Sequence, residues 1–122
     1  MNTGRRRRAW HFGRFAESLC AWHLRLRGYR VVARGFRTTV GEIDIVARRG
    51  GVLAVVEVKG RGDLTAAAES VGRRQRRRIA RATQALVKAR PGLAELDLRF
   101  DVMLVRPWRP PRHLRGAWRA DD

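Results

Sequence analysis

Lysine is almost missing from this 122-residue chain, with Lys59 and Lys88 set against 26 arginines. Acids are scarce as well: 11 stand against 28 basic residues, leaving a formal net charge of +17. There is one cysteine, Cys20. A lone thiol excludes an intramolecular disulfide and a cysteine-rich zinc site, and it fits a reducing cytosol. No apolar run approaches the roughly 20 residues that a spanning helix needs. The arginines at 5 to 8 are followed by His11, Arg14 and Glu17 rather than an apolar stretch, so no export signal is expected and a cytoplasmic location is. His11, His23 and His113 lack metal-ligand spacing and are expected at the surface or in packing.

What is present points to a folded, anion-seeking domain. Apolar residues make up 44% of the chain, enough for a core at this length. The expected organisation is a flexible basic arm at 1–8, one α/β domain at 9–119 and a tail at 120–122. A field this positive attracts polyanions, nucleic acid first. A genome rich in arginine codons accounts for arginine replacing lysine, but not for so few acids.

Hydrophobic periodicity gives the elements. Residues 9–27 read as a helix ending at Gly28, with Phe12, Phe15, Leu19, Trp22 and Leu26 as its wide apolar stripe. Glu17 lies on a second, narrower side with Ala21 and Leu24. Strands are expected at 29–36, 41–47, 52–59 and 98–105, with a short last strand at 113–118. A loop is expected at 60–72. A helix is expected at 73–89, stopped by Pro91-Gly92, with Gln75, Ile79, Ala82 and Leu86 on one face. Arg73, Arg74, Arg77, Arg78 and Arg81 make much of the remainder of that helix basic. The tryptophans are expected in the core, with Trp108 or Trp118 as an alternative stacking surface.

The second and third strands carry the chemistry. They read Gly41-Glu42-Ile43-Asp44-Ile45 and Val55-Val56-Glu57-Val58-Lys59, joined across Gly50-Gly51. A two-glycine turn sets Asp44 opposite Glu57 and Glu42 opposite Lys59. Strand alternation then puts these four on one face, and Ile43, Ile45, Val56 and Val58 on the other. Two carboxylates facing each other repel, so the pair calls for a cation between them or one shared proton. Lys59 is notable in a chain that otherwise uses arginine, because lysine is a compact charge whose pKa falls on burial. The plainer roles are arginine pairing for the acids and a cross-strand salt bridge from Lys59 to Glu42.

An Asp on one strand and Glu-x-Lys on the next, after a helix bearing Glu, resembles the PD-(D/E)XK nuclease superfamily. More closely, the chain resembles the YraN-like family of small bacterial proteins. The matching stretches are Glu17-x3-Ala21-x2-Leu24-x3-Gly28-Tyr29, Gly41-Glu42-Ile43-Asp44, Val56-Glu57-Val58-Lys59, Phe100-Asp101-Val102 and His113-Leu114-x2-Ala117-Trp118. Departures are Ala16 before the helix glutamate, Gly35 after the first strand, Gln75 where a lysine is common, and Ile43 in place of the superfamily proline.

The resemblance implies a restriction-endonuclease-like three-layer α/β/α core, ordered α-β-β-β-α-β around a mixed sheet. It implies catalytic roles for Glu17, Asp44, Glu57, Lys59 and Gln75. Asp44 and Glu57, with Glu17, would hold Mg²⁺ or Mn²⁺, which favour hard oxygen donors. Lys59 would orient the attacking water or bind the scissile phosphate. The basic helix Arg73, Arg74, Arg77, Arg78 and Arg81 is the expected nucleic-acid surface. The expected activity is metal-dependent cleavage of DNA, branched or damaged structures included, with DNA favoured over RNA and no membrane partner. The competing readings are a nucleic-acid-binding module with a vestigial catalytic face and a basic accessory protein of a ribonucleoprotein. Asp101 matches the family, and a structural hydrogen-bonding role is expected for it.

Overall fold

The computed structural model describes the backbone of residues 3–120 and the side chains of residues 13–120. Helix α1 spans Thr3–Leu26. The arginines at 5 to 8, expected as a separate arm, fall within its bounds, and their side chains lie outside the described residues, as does that of Phe12. Then follow β1 (Arg30–Thr38), β2 (Gly41–Arg49), β3 (Val52–Lys59), α2 (Leu64–Glu69), α3 (Arg73–Ala89), a 3₁₀ turn (Pro91–Glu95), β4 (Asp97–Leu104) and β5 (Arg112–Trp118). The short α2 replaces part of the loop expected at 60–72. Asp63 starts it by accepting the Ala66 N–H at 2.8 Å, a side-chain cap that satisfies one of the free first-turn donors.

The five strands lie in the order β1-β2-β3-β4-β5. The first three are antiparallel neighbours, β3 and β4 are parallel, and β4 and β5 are antiparallel. The parallel pair requires a long crossover, which α2 and α3 provide. The turn at Gly50-Gly51 sets the expected register, with Arg49 opposite Val52 and Ile45 opposite Val56.

A helix layer covers each side of the sheet. Ala16, Cys20, Ala21 and Leu24 of α1 pack with Ile45, Ala47, Ala54, Val56 and Met103. Ile79, Ala82 and Leu86 of α3 pack on the opposite side with Val46, Leu53, Val55, Phe100, Val102 and Leu104. This is a three-layer α/β/α arrangement.

Three expectations about burial are corrected. First, the wide stripe of α1 is not its core face: Phe15, Trp22 and Leu26 are 60%, 63% and 84% exposed, and only Leu19 packs partly inward. The narrow side with Ala21 and Leu24 is the buried one. Its small residues let the helix axis come close to the sheet, at the cost of the roughly 1.5–3 kcal/mol that burying each large side chain would contribute. Second, Trp22 and Trp108 are surface residues, while Trp118 is buried, stacked on Phe100 at 5.3 Å and so closed to any other ring. Third, Ile43 does not share a face with Ile45. Ile43 joins the α3 side of the core and Ile45 the α1 side. Strict alternation therefore fails at the residue between them, Asp44.

Candidate functional site

The site lies where alternation fails. Opposite Asp44 in the β1–β2 ladder stands Gly35, at φ +56. That left-handed conformation is costly for a residue with a Cβ, and Gly35 permits it inside β1. The Glu17 carboxylate lies over the same spot, 3.9 Å from where a Gly35 Cβ would be. A second glycine, Gly41, begins β2 directly against the Arg78 backbone carbonyl of α3, where any Cβ would overlap. These two glycines bring α1 and α3 to the two sides of one stretch of β2.

Asp44 and Glu57 meet as the register requires. The ladder between their strands ends at Ile45 and Val56, and beyond it the Val58 N–H donates to the Asp44 carboxylate at 2.8 Å. The two carboxyls lie within hydrogen-bonding reach of each other. Burial raises the pKa of both. For Glu57, burial and then the Asp44 charge push it up to about 8. Two carboxyls this close favour either a shared proton or a cation between them.

The remaining residues gather around Glu57. The Gln75 amide, at the start of α3, donates to Glu57 Oε1 at 2.9 Å. Lys59 Nζ stands 3.9 Å from the same oxygen and is 24% exposed, so it looks onto solvent beside the pair. Glu42 does not pair with Lys59. It is exposed and faces Arg37 across the β1–β2 ladder, at 3.4 Å.

Glu17 approaches from α1 but is held differently. Burial raises its pKa first and the nearby Asp44 charge second, against the lowering effect of Arg34 and Arg14. Arg34 Nε is 3.8 Å from it, and the same guanidinium donates to Ser18 at 2.9 Å. Among the described residues, no three or more His, Cys, Asp or Glu side chains are grouped to hold a metal ion. Glu17 therefore adds negative potential beside Asp44 and Glu57 without closing a three-carboxylate group. Arg34 was missed by sequence reasoning. Its position 17 residues after Glu17 carries no local signal, and only the packing of α1 on β1 joins them.

Cys20 lies buried beneath, its thiol pushed up to about 12 by burial and by the Asp44 and Glu17 charges. It is a core residue whose thiol is held in its neutral, less reactive form. On α3, Arg73, Arg74, Arg77, Arg78 and Arg81 are all exposed. Arg76 instead turns inward, donating to the Val71 carbonyl at 2.8 Å beside the Trp118 ring.

Asp101 is a separate, fully buried centre. It accepts from Arg99 Nε and Nη2 at 2.9 and 2.8 Å, from the Gly116 N–H at 3.0 Å, and pairs with His113 Nε2 at 2.7 Å. Arg99 also donates to the Tyr29 hydroxyl at 2.6 Å. Burial alone would raise the Asp101 pKa, but the bonds from His113, Arg99 and Gly116 outweigh it and leave it below the ordinary value. Every oxygen is used inside the protein, so the expected structural role holds.

The Uncharacterised protein family UPF0102 matches residues 16–105, the span from α1 through β4 that builds the site. The chain belongs to the UPF0102 family. A UPF0102 protein of Parvibaculum lavamentivorans is 57% identical over 111 residues, covering 91% of this chain and 84% of that one. The UPF0102 protein of Nitrobacter winogradskyi is 52% identical over 112 residues, covering 92% and 95%. That of Paramagnetospirillum magneticum is 50% identical over 113 residues, covering 89% and 88%. This membership meets the expected YraN-like resemblance, and Glu17, Asp44, Glu57, Lys59 and Gln75 all lie within the matched UPF0102 span.

Proposed function

We propose that this chain is a divalent-metal-dependent phosphodiesterase acting on nucleic acid, DNA before RNA. The observation that carries the reading is the Asp44–Glu57 pair: two half-buried carboxyls brought together by strand register, each with its pKa raised by burial. Burying such a pair is costly, and a structural role would be better met by an arginine partner. A hard divalent cation fits in place of a shared proton, since the donors are carboxylate oxygens. Asp44 and Glu57 would hold it, and when bound it supplies Lewis-acid polarisation of a phosphate.

The chain's own residues do the rest. Val58 N–H and Gln75 fix the Asp44 and Glu57 carboxyls from opposite sides, so their direction does not depend on a ligand. Lys59 presents a positive charge beside them, where it meets a phosphate oxygen or holds the attacking water. The α3 arginines draw the backbone in without reading its sequence.

The test is cleavage of single-stranded, nicked and branched DNA and of RNA, with Mg²⁺ or Mn²⁺, by wild type, Glu57→Ala and Lys59→Ala. Each variant should lose on the order of 10²–10³ in rate. In metal-free binding, Glu57→Ala should hold or tighten affinity and Lys59→Ala should weaken it slightly. Tight binding with no cleavage of any substrate would instead favour the binding module. The observation on that side is Glu17 held by Arg34 rather than grouped with the other acids.

A further inference from the structure

We propose that the β4–β5 loop is a stacking platform for an unpaired base, so that the bound nucleic acid has single-stranded character beside the candidate site. This rests on nucleic acid being the partner, as argued above. The central residue is Trp108. Its side chain is fully exposed, at 102%, and its backbone sits at φ 62, the one non-glycine residue at positive φ among those described. A bulky residue in that region is an outlier, and outliers of this kind concentrate at functional sites. Nothing in the fold gains from it, because the indole packs on nothing.

The loop is stiff. Pro107 precedes Trp108, and Pro110 and Pro111 follow, each fixing its own φ and restricting the residue before it. A loop backbone restricted in advance loses less freedom when a base binds against it. Beside Trp108 is an apolar groove of about 510 Å³, floored by Phe15, Leu19 and Val105 and walled by Pro107 and Pro110. Phe15 belongs to the α1 stripe that the core leaves outside.

Charge identifies the occupant. From residue 102 to 120 there is no Asp or Glu, while Arg106, Arg109 and Arg112 punctuate the loop. An apolar, aromatic-walled groove set among cations, on a chain of net charge +17, suits an apolar ring carried on a polyanion. A second copy of so basic a chain would bring like charge to the same place.

Position connects the loop to the site. Leu104 pairs with Lys59, and the Val105 N–H donates to the Lys59 carbonyl at 2.8 Å. Trp108 is three residues further, so its Cα lies within about 11 Å of that of Val105. The loop thus leaves the end of β4 next to the backbone of Lys59.

The experiment compares wild type, Trp108→Ala and Trp108→Phe on labelled oligo-deoxythymidylate, oligo-uridylate and a blunt DNA duplex of equal length. It is done without divalent metal, so nothing is cut. Trp108→Ala should weaken oligo-deoxythymidylate binding roughly 5- to 150-fold and leave the duplex within about twofold. Trp108→Phe should recover most of the loss, and the quenching of tryptophan emission on strand binding should be missing from it. Loss on the uridylate as well extends the platform to RNA; loss on DNA alone restricts it to DNA. Unchanged oligo-deoxythymidylate affinity in Trp108→Ala would overturn the proposal. So would equal loss on the duplex, which marks a phosphate contact, or conversion of a wild-type dimer to a monomer, which marks a self-association face. A chain that never cuts but shows the Trp108 effect loses the catalytic reading alone. One that binds no strand at low salt loses both.

Discussion

Glu57 and Asp101 are two acids in one sheet with opposite solutions to burial. Burial raises the pKa of Glu57; Asp101 is surrounded by donors that leave its pKa below the ordinary value. The pKa of Glu57 is raised, so its native form holds the proton more tightly than the unfolded chain does. Its contribution to stability is full below the ordinary value of 4.5 and is lost as pH rises through about 8. Metal-free wild type should therefore lose on the order of a few kcal/mol across that window relative to Glu57→Gln, which keeps a neutral group in place. Denaturant titrations of both proteins in pH steps measure this, and parallel curves would rule out the shared proton. Added Mg²⁺ should offset the loss in wild type far more than in the variant. Asp101 has the reverse sign: its contribution is present above its ordinary value and is lost as pH falls through the lower native one. Asp101→Ala strands Arg99 and His113, and removing one partner of a buried pair costs about 3–5 kcal/mol. A fall in Tm of more than about 10 °C is expected, where a surface acid such as Glu95 should change little.

At the scale of elements, α3 serves two faces with different residues. Ile79, Ala82 and Leu86 anchor it to the sheet, Gln75 reaches Glu57, and the arginines stay in solvent. Replacing Arg77 and Arg78 together by Gln should leave the Tm within a few degrees and lower DNA affinity at low salt. The slope of log affinity against log salt should fall by about 0.9 per phosphate contact removed. Measuring affinity across a salt series decides it, and an unchanged slope would take α3 out of the interface. The bounds of α3 and β3 were legible from the chain, because Pro91-Gly92 and the two-glycine turn mark stopping points by local chemistry alone. The burial of α1 was not. Periodicity ranks sides by bulk, and Phe15, Trp22 and Leu26 outweigh Ala16, Cys20 and Ala21. The sheet instead took the side on which small residues allow close approach and which carries Glu17 to Gly35.

Across the whole molecule, the sequence by itself determined whatever depends on neighbours along the chain. It settled the order of the strands and of the two long helices, the hairpin register that sets Asp44 against Glu57, and the excess of positive charge. The Asp101 motif was visible, but its partners are Arg99, His113 and Gly116, with Tyr29 behind Arg99, which no local pattern unites. Tertiary structure alone decided how far burial raises the pKa of the two carboxyls, because that depends on how far water is excluded. It alone decided that Arg34 reaches Glu17, that Ile43 and Ile45 part company at Asp44, and that Trp118 is enclosed while Trp108 stands free. The reason is common to all of these. Local chemistry fixes φ, ψ and register one neighbour at a time, whereas burial is set by which distant surfaces fit closely enough to expel water.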